Sequence, residues 1–172
     1  MPDRESLPAC TTRIRHGSSH GGLYAAAALP QFIRLSIPGG FIVTVTLFYA
    51  GALALWFFVL SLKVSLARVG PDKPSLGDGG NPKMQRMIRG QANFAEYVPL
   101  ILLLIGLLEL HGLAKWALHA LGATLLLGRL LHGYALSFTP NSVFGRSAGI
   151  ALTFIALLVG GALCLYQGMP GL

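Results

Sequence analysis

Two long runs of this sequence contain no charged residue, and each is about as long as a membrane-spanning helix. They cover residues 41–62 (FIVTVTLFYAGALALWFFVLSL) and 147–166 (SAGIALTFIALLVGGALCLY). Roughly 20 helical residues cross a bilayer core of about 30 Å. A third apolar run, 97–108, is predicted to continue as a helix towards the N-terminus. A fourth run, 116–138, is interrupted only by His119, Arg129 and His132. We therefore predict an all-α fold, an integral membrane four-helix bundle.

The composition supports this class of protein. Of 172 residues, 11% are charged, against about 25% in soluble domains. One compact membrane domain is expected over residues 41–168. Residues 1–40 contain several arginines, prolines and glycines, and we predict that they form a disordered extension or follow from a start site placed too far upstream. Asn81 is predicted to cap the second helix, and Asn141 or Ser142 the fourth.

The formal net charge of +7 is concentrated between the first two helices. Because positively charged loops stay on the cytoplasmic side, the 63–89 segment is predicted to be cytoplasmic. No RNA- or DNA-binding pattern accompanies these charges, so a nucleic-acid partner is not expected. The basic residues of this segment are Lys63, Arg68, Lys73, Lys83, Arg86 and Arg89, against Asp72 and Asp78.

A polar stripe precedes the second apolar run. At about 100° per helical residue, Arg86, Arg89, Asn93 and Glu96 fall within an arc of roughly 80°. Tyr97 lies beside this arc, where it is expected either to contact the same ligand or to act as a membrane-interface aromatic residue.

The third and fourth helices contribute further cations near the same membrane face. Arg129 and His132 are three residues apart and therefore share a helix face, and Arg146 lies where the fourth helix begins. In the predicted topology the second helix starts, the third ends and the fourth starts on the cytoplasmic side. Arg86, Arg89, Arg129 and Arg146 are therefore predicted to converge.

Two explanations account for these buried charges. Ionisable groups in membrane helices face protein and often mark function, so an anionic ligand is one explanation. A structural ion pair between Glu96 and Arg129 is the other. Four arginines against one glutamate leave positive charge unneutralised, which favours the ligand.

Glu109, at the opposite end of the second helix, is predicted to be an interfacial charge. No metal site is predicted, because no histidine or carboxylate pair has ligand spacing.

Three motifs resemble those of the MAPEG family, the membrane-associated proteins in eicosanoid and glutathione metabolism. R-G-Q-A-N-F-A-E-Y-V-P-L is similar to the family's helix-two signature R-x-x-x-N-x-x-E-Y-x-P. L-G-R-L-L-H-G-Y resembles its helix-three motif, and G-R-S-A-G-I-A-L-T the helix-four opening of its short bacterial branch. The resemblance covers about residues 43–166. It implies a homotrimer in the bacterial inner membrane, with glutathione as co-substrate between neighbouring subunits.

The resemblance also implies roles for individual residues. Arg146, and second Arg129, would activate the glutathione thiol, since a nearby cation lowers a thiol's pKa. The eicosanoid synthases of the family carry a tyrosine seven residues after the helix-three arginine, where this chain has Leu136, so activation by a tyrosine is not predicted. The residues implied to hold glutathione are Arg89, Asn93, Glu96, Tyr97, Arg68 and His132.

The implied activity is that of a glutathione-dependent transferase or peroxidase acting on lipophilic electrophiles that partition from the bilayer. A non-catalytic helix-bundle protein and a small exporter are the alternatives. Small four-helix exporters also carry a membrane glutamate, but theirs lies in a pocket for cationic drugs. Arginines around such a pocket would be unfavourable, so the arginine excess argues against an exporter.

Overall fold

The computed structural model describes residues 43–70, 74, 76–140 and 142–169, and it contains four α-helices in this part of the chain. They are α1 (Thr44–Leu66), α2 (Pro82–Leu110), α3 (Lys115–Ser137) and α4 (Val143–Gly168). The predicted all-α fold is confirmed, and each helix overlaps its predicted run. The 1–40 segment lies outside the described residues, so its predicted disorder stays a prediction.

Three of the four helices, α1, α2 and α4, are long and apolar enough to cross a membrane, which confirms the prediction of an integral membrane protein. The helix α3 is not among these three, and it carries Arg129 and His132. Both side chains are buried inside the protomer, as expected of ionisable groups within a membrane bundle. The spanning role of α3 and the homotrimer stay predictions.

The helices α2 and α3 form the centre of the bundle. Each of them packs against all three other helices, whereas α1 and α4 do not contact one another. The core between them is apolar, and many large apolar side chains point outwards from the protomer, as expected of a surface that faces lipid or other subunits. Apolar core residues that are at most 1% exposed are Leu53, Leu60, Ile101, Ile105, Leu108, Leu118, Leu125 and Ala156.

Two glycines let α3 and α4 approach closely. A Cβ atom placed on Gly149 would lie 2.6 Å from the backbone nitrogen of His132 and 2.8 Å from the carbonyl oxygen of Gly128. Small residues at such crossings allow backbones in membrane bundles to touch. This approach places the first two turns of α4 directly against the polar end of α3.

Side-chain caps define where α2 and α4 begin. The Oδ1 atom of Asn81 accepts hydrogen bonds from the backbone of Lys83 (2.9 Å) and Met84 (3.3 Å), which confirms the predicted cap. Ser142 caps α4 by accepting from the backbone of Gly145. Asn141, the other candidate, lies outside the described residues.

The helix α1 has no capping side chain of its own and is capped by Glu109, from the last turn of α2. The Glu109 carboxylate accepts from Val45 N (2.8 Å), Thr46 N (2.8 Å) and Thr46 Oγ1 (2.6 Å). A carboxylate is favourable there because the first amides of a helix have no intrahelical acceptor and carry partial positive charge. Glu109, predicted only as an interfacial charge, therefore joins α1 to α2.

Candidate functional site

A cavity of about 500 Å³ opens between α2, α3 and α4, where α2 and α4 begin and α3 ends. Its volume lies within the range of small-molecule sites, roughly 300–1,000 Å³. We call it the cationic cavity. Its lining residues are Gln85, Arg86, Arg89, Asn93, His132, Leu136, Arg146 and Ile150.

Three guanidinium groups line this cavity, and no carboxylate does. Arg89 and Arg146 are exposed, and Arg86 is half-buried. The Nε atom of Arg86 is buried without a hydrogen-bond partner among the described residues. Because arginine forks bind carboxylates and phosphates through paired charge-assisted hydrogen bonds, the cavity is suited to an anion.

Arg129 lies behind the cationic cavity and does not line it. Its side chain is 1% exposed, and its guanidinium donates to Asn93 Oδ1 (2.8 Å) and Thr153 Oγ1 (2.5 Å). Thr153 in turn donates to the carbonyl of Gly149 at 2.9 Å. Since the Asn93 side-chain oxygen is occupied by Arg129, the Asn93 amide NH₂ is the group left to donate into the cavity.

His132 connects α3 to the first turn of α4. Its Nδ1 lies 3.1 Å from the carbonyl oxygen of Arg146. A carbonyl oxygen only accepts hydrogen bonds, so Nδ1 carries the hydrogen, and Nε2 is the acceptor when the ring is neutral. The ring lines the cavity and also fixes the backbone from which the Arg146 side chain projects.

The predicted contacts Glu96 and Tyr97 lie beyond the cationic cavity along α2. Glu96 is exposed and forms no ion pair with another described residue. The alternative Glu96–Arg129 ion pair is therefore not formed, because Arg129 binds Asn93 and Thr153 instead. The Tyr97 ring packs against the Phe154 ring of α4, with 5.6 Å between the ring centroids.

Arg68 is also outside the cationic cavity. It follows the last turn of α1 and donates to the backbone carbonyls of Pro74 (3.4 Å) and Gly77 (3.0 Å). Its guanidinium therefore holds the α1–α2 connection, and the structure does not bring it together with Arg89 or Arg146 in one cavity.

Leu136, the residue seven positions after Arg129, lines the cationic cavity, and none of the residues lining this cavity is a tyrosine. Tyr134 is exposed and stacks on Phe138 with 5.4 Å between ring centroids.

Besides Leu136, three residues of the site were not predicted from the sequence. Gln85 is four residues before Arg89, and the same helical spacing that grouped the arginines places it on their face. Ile150 and Thr153 lie one and two turns after Arg146 on α4. The signal for both was their position within the G-R-S-A-G-I-A-L-T motif, in which Arg146 alone was assigned a role.

Comparison with known proteins gives consistent matches over the helical region. The model of the MAPEG family matches residues 46–166. This range includes every residue that lines the cationic cavity. The Inner membrane protein YecN of Escherichia coli (strain K12) is 34% identical over 115 residues, which cover 67% of this chain and 86% of that protein. YecN of Escherichia coli O6:H1 matches with the same figures. No solved structure matches the chain.

Proposed function

Because the chain belongs to the MAPEG family, we propose that this integral inner-membrane protein binds glutathione and acts as a glutathione-dependent transferase or peroxidase on lipophilic electrophiles. The observation that carries the proposal is the cationic cavity, which gathers Arg86, Arg89 and Arg146 without a carboxylate. Guanidinium groups that line one cavity repel one another, and an anion bound among them would offset that repulsion.

Glutathione carries groups that match this cavity. It has two carboxylates, one ammonium group and a thiol, and arginine is the side chain best suited to carboxylates. The Asn93 amide NH₂, oriented by Arg129, adds a donor for a carboxylate or peptide oxygen. Glu96, which has no partner among the described residues, suits the γ-glutamyl ammonium.

The separation of these groups agrees with the length of a tripeptide. Arg89 and Glu96 are seven residues apart on α2, so their Cα atoms are about 10 Å apart along the axis at 1.5 Å per residue. An extended tripeptide spans about 10 Å. One glutathione molecule therefore reaches from the arginines to Glu96. Since Glu96 is exposed in the protomer, a neighbouring subunit of the proposed homotrimer would enclose that end.

The proposed chemistry requires the glutathione thiolate, since the thiolate is the nucleophile and neighbouring cations favour it over the thiol. Arg146 is exposed at the mouth of the cavity, where its guanidinium can pair with the sulfur. The thiolate attacks an electrophilic carbon of the second substrate, a C–S bond forms, and the leaving group departs with the electron pair of its bond. Arg129, which lies behind the cationic cavity, would add positive charge near the ligand and orient the Asn93 amide.

Binding of glutathione to the detergent-solubilised protein tests the proposal, with isothermal titration calorimetry as the measurement. We expect Arg89→Ala and Glu96→Ala each to weaken binding by roughly 10- to 100-fold, since a hydrogen bond to a charged group contributes about 1.5–3 kcal/mol. Lys115→Ala is the matched control, because Lys115 is an exposed cation at the opposite end of α3.

The catalytic part of the proposal has its own assay. Formation of the glutathione conjugate from chlorodinitrobenzene is expected with the wild type and the Lys115→Ala control, and is expected to be lost in Arg146→Ala. Absence of glutathione binding by the wild type would refute the whole proposal. Binding of glutathione with neither conjugation of a lipophilic electrophile nor reduction of a lipophilic hydroperoxide would refute the enzyme and leave a non-catalytic membrane protein.

A further inference from the structure

A second cavity, of about 220 Å³, lies between the last turn of α1, the first turn of α2 and the end of α3. We call it the lysine cavity. It is separate from the cationic cavity but shares Arg86 and Leu136 with it. Its lining residues are Lys63, Lys83, Arg86, Leu136, Ser137, Phe138, Thr139 and Pro140.

The lysine cavity concentrates positive charge. Lys63 comes from α1, Lys83 and Arg86 come from α2, and no carboxylate lines the cavity. The Lys63 ammonium lies 3.4 Å from the centroid of the Phe138 ring. This cation–π contact attracts the ammonium without neutralising it. Neither lysine forms an ion pair with another described residue, so no carboxylate of that part of the chain neutralises the two ammonium groups.

One buried polar atom of this cavity, the Nε atom of Arg86, has no hydrogen-bond partner among the described residues. The Ser137 hydroxyl, which also lines the cavity, makes no hydrogen bond to those residues and is a second donor there. Buried donors in folded proteins nearly always have an acceptor, and leaving one unpaired costs about 1–3 kcal/mol. An anion with several acceptor oxygens would satisfy both groups and the two ammonium groups together.

The surface beside the lysine cavity is apolar and aromatic. Phe138, which forms part of the cavity wall, stacks with Trp56 (6.0 Å between centroids) and with Tyr134 (5.4 Å). Leu62 of α1 and Tyr134 of α3 are exposed on the outside of the protomer. A small inorganic anion would gain nothing from this surface, whereas an acyl chain would pack along it.

We propose that the lysine cavity binds the headgroup phosphate of an anionic phospholipid, whose acyl chains lie along the apolar surface of α1 and α3. The location fits, because basic residues at the cytoplasmic ends of membrane helices are attracted to anionic lipid headgroups. A zwitterionic headgroup fits less well, since its ammonium would enter a cavity of three cations. The site does not depend on glutathione binding, because neither lysine lines the cationic cavity.

Native mass spectrometry of the detergent-solubilised protein tests this site, using equimolar phosphatidylglycerol and phosphatidylcholine with identical acyl chains. We expect the wild type to retain phosphatidylglycerol preferentially. The double variant Lys63→Gln, Lys83→Gln should lower that preference by about 30-fold, since each basic residue near anionic lipid contributes about 1 kcal/mol. Lys115→Gln, which removes a cation from the other end of α3, should retain the wild-type preference.

The outcome is read independently of glutathione. The double variant should still bind glutathione with wild-type affinity, which shows that it is folded and separates this proposal from the proposed function. Equal retention of the two lipids by the wild type, or an unchanged preference in the double variant, would overturn the lipid site. Displacement of phosphatidylglycerol by an equimolar amount of inorganic phosphate would also overturn it, because the acyl chains would then add nothing.

Discussion

Replacement of Glu109 by alanine should destabilise the protein more than any other removal of a single carboxylate from the described residues. The variant leaves Val45 N and Thr46 N at the start of α1 without the carboxylate that they contact at 2.8 Å. A hydrogen bond to a charged group contributes about 1.5–3 kcal/mol. Because the site is half-buried, water can accept part of the hydrogen bonding that the two amides lose. We therefore expect a loss of about 2–4 kcal/mol in the free energy of unfolding.

Thermal unfolding in detergent, followed by circular dichroism, measures this loss. One kcal/mol shifts Tm by about 2–4 °C in a chain of 150–250 residues, so Glu109→Ala should lower Tm by roughly 4–16 °C. Glu96→Ala, measured in the absence of glutathione, is the matched control because it removes an exposed carboxylate from the same helix. Its free energy of unfolding should stay within about 0.5 kcal/mol of the wild-type value. Equal Tm values for the two variants would refute the capping role of Glu109.

Other substitutions test the packing around the site by the same unfolding assay. Gly149→Ala should destabilise the protein by about 1–3 kcal/mol because its Cβ would overlap α3, whereas Gly161→Ala on the same helix meets no atom within 4 Å and should not destabilise it. Thr153→Val should cost about 1–3 kcal/mol, since it leaves a buried donor of Arg129 unpaired. Asn81→Ala should cost about 1 kcal/mol through loss of the α2 cap; an unchanged Tm in any of the three destabilising variants would contradict its assigned contact.

Features that depend on one segment of chain were predictable from the sequence. The uncharged runs located the helices, because only a long apolar segment is stable across a bilayer. The Asn81 cap followed from an asparagine directly before a proline at the first helical position. The grouping of Arg86, Arg89 and Asn93 followed from helical spacing alone, and these residues line one cavity.

Features that depend on how the helices rotate against one another were not predictable. A helical wheel places Asn93 and Glu96 on one arc, but it does not say which of them faces α3. In the bundle Asn93 contacts Arg129 and Glu96 faces outwards, which is why the suggested Glu96–Arg129 pair is absent. The capping of α1 by Glu109 joins positions more than 60 residues apart, and no local pattern encodes such a contact.

The central claim, that the cationic cavity binds glutathione and stabilises its thiolate, is tested most directly by ultraviolet absorbance of the thiolate. Glutathione is titrated at neutral pH into the wild type and into Arg146→Ala, with Lys115→Ala as the control. We predict thiolate absorbance that rises to saturation with the wild type and the control and is lost or strongly reduced with Arg146→Ala. No saturable thiolate signal from the wild type, or the same signal from Arg146→Ala, would contradict the account.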